Sequence, residues 1–201
     1  MSFFIAMGIF AFTMSITPGP VNFIALSSGV NNGMVRTFPF VSGATIGFTV
    51  LLFILGLGAI ELVEAFPFFM TLMGYVGVAF LFYMAYKIFT AIGRTGHQQA
   101  KVPSFFEGVL LQWLNPKAWI ASISGVAAFT TAGNLNSLLL FCAIYLCICY
   151  VGVGFWAVLG AQAKQFLHSE RQLSWLNKVM GSGLGLVATY LFLKQSFGQI
   201  F

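Results

Sequence analysis

Aspartate does not occur in this chain, and its four acidic residues are glutamates: Glu61, Glu64, Glu107 and Glu170. Only 6% of the 201 residues are charged, against 59% hydrophobic, and the mean hydropathy is +0.94. So little charge excludes a soluble domain, whose surface must be largely covered by polar groups. Cysteine is limited to Cys142, Cys147 and Cys149, all in one apolar run. In that setting they read as small buried side chains rather than a soft-metal site. The two histidines, His97 and His168, fall in polar connections and read as solvated, with a pH-sensing role left open. No cofactor is implied.

Long apolar runs are abundant. Six of them, near 3–26, 38–60, 68–89, 105–129, 135–160 and 175–197, have the roughly 20 residues needed to cross a hydrocarbon core. An all-α integral membrane protein with six transmembrane helices is expected, forming a single transporter domain over 1–201. The first run has no Lys or Arg ahead of it and no small-residue cleavage site, so it reads as a retained span rather than a signal peptide. Seven of the nine basic residues fall in alternate connections: Arg36; Lys87, Arg94 and Lys101; Lys164, Arg171 and Lys178. Positive charge stays cytoplasmic, which places both termini in the periplasm. The net charge of +5 then needs only the anionic inner leaflet as its partner and no nucleic acid.

The chain repeats itself. Met73-Gly74 is followed by Tyr83 and Lys87, and Met180-Gly181 at the same spacings by Tyr190 and Lys194. "TPGPVNFIALSSG" from Thr17 is echoed by "NPKAWIASISG" from Asn115. Two halves of three spans each, about 1–95 and 104–201, must enter the membrane from opposite sides, the inverted repeat common among secondary transporters.

Both repeated motifs place proline inside a span. Pro18 and Pro116 cannot donate to the carbonyls of Met14 and Gln112, which are expected to be freed. Thr17 and Asn115 are expected to be N-caps, each followed by proline at N1, so that a new half-helix starts inside the membrane. Such an N-terminus attracts anions. Lys117 at position N2 adds a full charge there, roughly 18 Å into the membrane at about 1.5 Å per residue from Phe105. Glu107 lies too far along the axis to pair with it. Lys117 reads as a carboxylate site or as a cation held by carbonyl oxygens or by a glutamate of another span. Gly43 and Gly47, and Gly181, Gly183 and Gly185, read as close-packing positions.

"TPGPVNFIALSSG", "GATIGF", "GYVGVAFLFYMAYKIF" and "FFEGVLLQWLNPKAW" together resemble the LysE/RhtB family of bacterial amino-acid exporters over nearly the whole chain. The resemblance implies a proton-driven inner-membrane efflux carrier. It carries Thr17, Pro18, Gly19, Pro20, Asn22, Gln112, Asn115, Pro116 and Lys117 over as substrate-site residues. Many members have a polar residue directly after TPGP, where this chain has Val21 and then Asn22. "PGPVNFIALSS" is most similar to the branch exporting cysteine and O-acetylserine. No glutamate lies near the midplane beside Lys117, so a neutral amino acid is expected rather than a second cation. The partners expected are that substrate, protons and the bilayer, with a homodimer as an allowed assembly. Two other readings stay open: a channel or packing subunit of a membrane complex, and an intramembrane hydrolase using Lys117 with Ser124, seven residues on along the helix.

Overall fold

In a computed structural model, residues 2–59, 67–91, 102–131, 133–167 and 169–197 are described. Among them every regular element is helical: α1 (Ser2–Ile16), α2 (Pro20–Asn32), α3 (Met34–Ile54, extended by a π turn Leu55–Ala59) and α4 (Pro67–Phe89). There follow α5 (Phe105–Trp113), α6 (Pro116–Phe129), α7 (Leu135–Ala163, with a 3-10 turn Lys164–Phe166) and α8 (Glu170–Phe197). Of these, α3, α4, α7 and α8 are long and apolar enough to cross a membrane alone, and α1 with α2 form a fifth candidate, bent by 62°. The fourth expected span is two helices of 9 and 14 residues, each shorter than the roughly 20 residues a crossing requires. The first half-span also runs further than its hydropathy suggests, to Asn32, because the Asn31 amide is held by the Ser27 carbonyl at 2.8 Å and by Asn177.

Side-chain contacts fix the direction of each helix. Phe3 and Phe10 pack on Phe129, and Phe10 also meets Phe141 and Tyr145, so the start of α1 lies beside the end of α6 and the start of α7. At the opposite pole the Ser28 and Thr37 hydroxyls meet at 2.8 Å, and the Asn31 and Asn177 side chains exchange bonds of 2.8 and 3.0 Å. Lys87 of α4 reaches Glu107 of α5 there at 2.6 Å. This pole, where α2 and α4 end and α3, α5 and α8 begin, carries Arg36, Lys87, Arg171 and Lys178 and is termed the basic end. Glu61, Glu64, Arg94, His97, Lys101 and His168 lie outside the described residues.

Small residues let the backbones cross closely. A methyl group on Gly29 of α2 would collide with the Ala157 carbonyl of α7, and one on Gly160 with the Leu26 carbonyl of α2. Gly43 of α3 abuts Phe105 of α5 in the same way, Gly47 abuts Val109, and Trp113 Nε1 donates to the Gly47 carbonyl at 3.1 Å. Gly181 of α8 lies against the Phe89 backbone of α4, whereas Gly183 and Gly185 meet only side chains, at 3.9 and 4.0 Å. The close-packing role therefore belongs to Gly43, Gly47 and Gly181.

Candidate functional site

The two helix breaks face each other, and they are built differently. Asn115 is extended (φ −96°, ψ 112°), its side-chain oxygen accepts the Lys117 N–H at 3.1 Å, and α6 starts with Pro116 at N1. This is the capped half-helix expected from the sequence. Thr17, however, is not an N-cap. Its N–H bonds the Thr13 carbonyl at 3.2 Å and its hydroxyl donates to the same oxygen, so it closes α1, while α2 begins at Pro20 after Gly19. A cap at Thr17 would put Pro20 at N3, where there is no N–H to cap; the helix starts at the second proline instead. The Gln112 carbonyl is not free either. Asn115 N–H reaches it at 3.2 Å, a tighter three-residue turn replacing the bond that Pro116 cannot make.

The Ser15, Ile16 and Thr17 carbonyls at the end of α1 are taken up by side chains outside that helix. Buried Asn22 donates through Nδ2 to the Ser15 and Thr17 carbonyls, at 3.0 and 2.8 Å. Trp156 Nε1 of α7 donates to the Ile16 carbonyl at 3.0 Å. Lys117 Nζ donates to the Thr17 carbonyl at 2.6 Å. The cation that burdens the positive end of α6 thus rests on the negative end of α1, where a helix dipole favours it.

Between the breaks lies a cavity of about 40 Å³, measured as space open to the centres of water molecules, room for about three waters. Gly19, Asn22, Gln112, Asn115 and Lys117 line it. Thr17 reaches the site through its carbonyl, whereas Pro18, Pro20 and Pro116 shape the backbone without lining the cavity. Sequence reasoning missed Ser15, Phe48, Tyr145 and Cys149, which also line the cavity, with Met14, Val21, Ala118, Ala121 and Val153 supplying further apolar wall. Tyr145 and Cys149 share a helix face by their i, i+4 spacing, but nothing in the sequence ties that face to the breaks. Phe48 stacks on Tyr145 with ring centroids 4.3 Å apart, and Phe141, Phe10 and Phe129 continue this aromatic layer away from the basic end. The Ser15 hydroxyl is buried beside the Cys149 thiol and the Tyr145 hydroxyl, neither at ordinary hydrogen-bond geometry. Cys142 and Cys149 are buried as expected, but Cys147 is exposed because it lies on the opposite face of α7. Ser124 is exposed and outside the wall that contains Lys117. Among the described residues no cluster of His, Cys, Asp or Glu could hold a metal.

Two proline-broken helices that meet around a small, mainly apolar cavity and a lysine, within an apolar helical bundle, are an arrangement found in membrane transporters. The chain belongs to the LysE type translocator family, which matches residues 12–195. It is 27% identical over 165 residues to the cysteine/O-acetylserine efflux protein of Klebsiella pneumoniae, covering 81% of this chain and 84% of that one. The protein of that name from Salmonella choleraesuis is 27% identical over 163 residues, 80% and 84% of the two chains. The one from Escherichia coli K12 is 28% identical over 115 residues, 57% of this chain and 59% of the relative. These names coincide with the branch suggested by "PGPVNFIALSS". No solved structure matches the chain.

Proposed function

We propose that the protein exports a small neutral amino acid or close derivative across the bacterial inner membrane, as a secondary-active carrier driven by the proton-motive force. The observation that carries this reading is the Lys117 ammonium on the Thr17 carbonyl in a cavity bounded by both helix breaks. A substrate carboxylate exchanges with that carbonyl for Lys117 and faces the N-terminus of α6, while the released Thr17 oxygen becomes available to the α-ammonium group. No acidic residue lines the cavity, so the side chain of a lysine or arginine substrate would be buried without a counter-charge. Cysteine and O-acetylserine are favoured by the names of the relatives, with homoserine, threonine and leucine as further candidates.

In this reading α5 and α6 form one broken crossing, giving six spans in a single domain with repeats at about 1–95 and 104–201. Packing supports a two-fold relation between the halves, in that α1 lies on α7 as α5 lies on α3, while α3 meets α7 and α4 meets α8, although α2 packs on α7 far more extensively than α6 does on α3. The basic end is cytoplasmic and both termini are periplasmic. Counterflow in proteoliposomes with a panel of amino acids tests the function. Saturable exchange of a neutral amino acid, with none of lysine or thialysine, is expected. Non-saturable flux would identify a channel, and exchange confined to lysine would overturn the charge assignment.

A further inference from the structure

A second cavity, of about 140 Å³, opens at the basic end between α2 and α4. Ile24, Ser28, Asn31 and Asn32 line it from one side, Met84 and Lys87 from the other. Val21, Ile24, Ser28 and Asn32 follow the spacing of one helix face. Val21 belongs to the wall of the central cavity and the other three to this one. The two hollows therefore lie along a single face of α2, with Val21 and Asn32 roughly 16 Å apart at about 1.5 Å per residue. Ile24 and Met84, both fully buried, form the floor nearest the central cavity.

Two polar groups in this wall can take a ligand, one of them unpaired and the other held by a partly exposed ion pair. Asn32 Oδ1 is buried with no hydrogen-bond partner, and its Nδ2 has only a 3.4 Å approach to Ser28 Oγ. A buried acceptor left unpaired is costly and invites a donor. Lys87 Nζ is held by Glu107 Oε1 at 2.6 Å, and both side chains keep 19% exposure, so a competing carboxylate can reach the cation. Glu107 would not be stranded by the exchange. Its Oε2 accepts the Ser104 N–H at 2.7 Å, and the Ser104 hydroxyl accepts the Glu107 N–H at 3.2 Å, a capping box that holds the carboxylate at the start of α5.

An orphan acceptor and an accessible cation around one hollow are complementary to a zwitterion. We propose that this cavity is a second, inner-side binding site for the exported amino acid, with Lys87 taking its carboxylate and Asn32 Oδ1 its ammonium group. The site loads substrate from the basic end before it passes Ile24 and Met84 toward Lys117. This inference rests on the efflux reading and extends it to where the substrate first binds.

Equilibrium binding of radiolabelled O-acetyl-L-serine to the purified full chain, with uptake into everted membrane vesicles, tests the proposal. Wild type should bind two molecules per chain. Asn32→Leu, which leaves the ion pair intact, and Lys87→Met should each bind one and raise the KM for uptake about tenfold. The exchange Lys87→Glu with Glu107→Lys rebuilds the ion pair but moves the cation. Recovery of wild-type binding and KM by this double variant would assign the pair a structural role and overturn the proposal, as would two-site binding by Asn32→Leu. Persistent one-site binding supports it when the double variant, which also loses the capping box at Glu107, keeps the wild-type Tm and binding at the Lys117 site. Absence of any binding by wild type, of O-acetyl-L-serine and of every neutral amino acid in the counterflow panel, would instead remove the efflux reading itself, an outcome distinct from loss of the inner site alone.

Discussion

Lys117 and Asn22 meet on one atom, the Thr17 carbonyl oxygen. A lysine inside a membrane costs about 2.5 to 3.5 kcal/mol even on the lenient insertion scale, and a charge-assisted bond to a helix C-terminus offsets part of that cost. Lys117→Met keeps the length and removes the charge. It should abolish counterflow while leaving normal amounts of protein in the membrane, measured by flux and by immunoblot of the same vesicles. Lys117→Arg should also fail to transport, since a planar fork does not replace a point charge in so small a cavity. Asn22→Asp turns a donor facing two carbonyls into an acceptor. The loss of two bonds should destabilise the protein by about 1 to 3 kcal/mol, seen as a lower Tm in detergent, and Asn22→Gln should recover little because the longer side chain misplaces the amide.

Among the elements, the crossings set what the breaks can reach. The α3–α5 contact brings Gly43 against Phe105 and Gly108 against the Phe40 carbonyl, so that α5 delivers Gln112 and Asn115 to the cavity at a defined depth. Gly43→Leu should push the helices apart at a cost of about 1 to 3 kcal/mol and impair transport through misplacement of α6. Gly154 of α7 is the contrasting case, because a methyl group there meets nothing within 4 Å. Gly154→Ala should leave the Tm unchanged or raise it slightly, since the gain in helix propensity stabilises by up to about 1 kcal/mol. If Gly43→Leu and Gly154→Ala melted alike, close packing would not be what requires glycine at these crossings.

For the whole molecule, orientation follows from charge. Arg36, Lys87, Arg171 and Lys178 gather at one pole with the ends of the helices they belong to, and that pole should face the cytoplasm. In a variant whose three native cysteines are replaced, a cysteine introduced at Gly133 should be labelled from outside intact cells and one at His97 only after permeabilisation. The reverse pattern would overturn the orientation and, with it, the direction of loading along α2. The α4–α8 pair contributes no residue to the central cavity wall but, through Lys87 and Met84, supplies one side of the inner hollow. Movement of this pair against α2 would therefore change the inner cavity while leaving the Lys117 site intact.

Much of this was legible in the sequence because it depends on near neighbours along the chain. Hydropathy over twenty residues marks a span, a proline marks a break, and Asn-Pro-Lys marks a capped half-helix carrying a cation; TPGP with NPKA also identified the family. The Ser104 to Glu107 spacing was equally readable as a capping box, although its ion pair was not. What only the tertiary structure decided are partners remote in sequence: Lys117 with Thr17, 100 residues apart, Asn31 with Asn177, 146 apart, and Lys87 with Glu107, 20 apart. The start of α2 at Pro20 rather than Pro18 does not join them, since it follows from the second proline, which leaves no N–H at N3 to cap. Composition and local geometry specify which groups a helix presents and at what depth. The crossing of one backbone over another decides which groups meet, and at the proposed substrate site that meeting would be the chemistry.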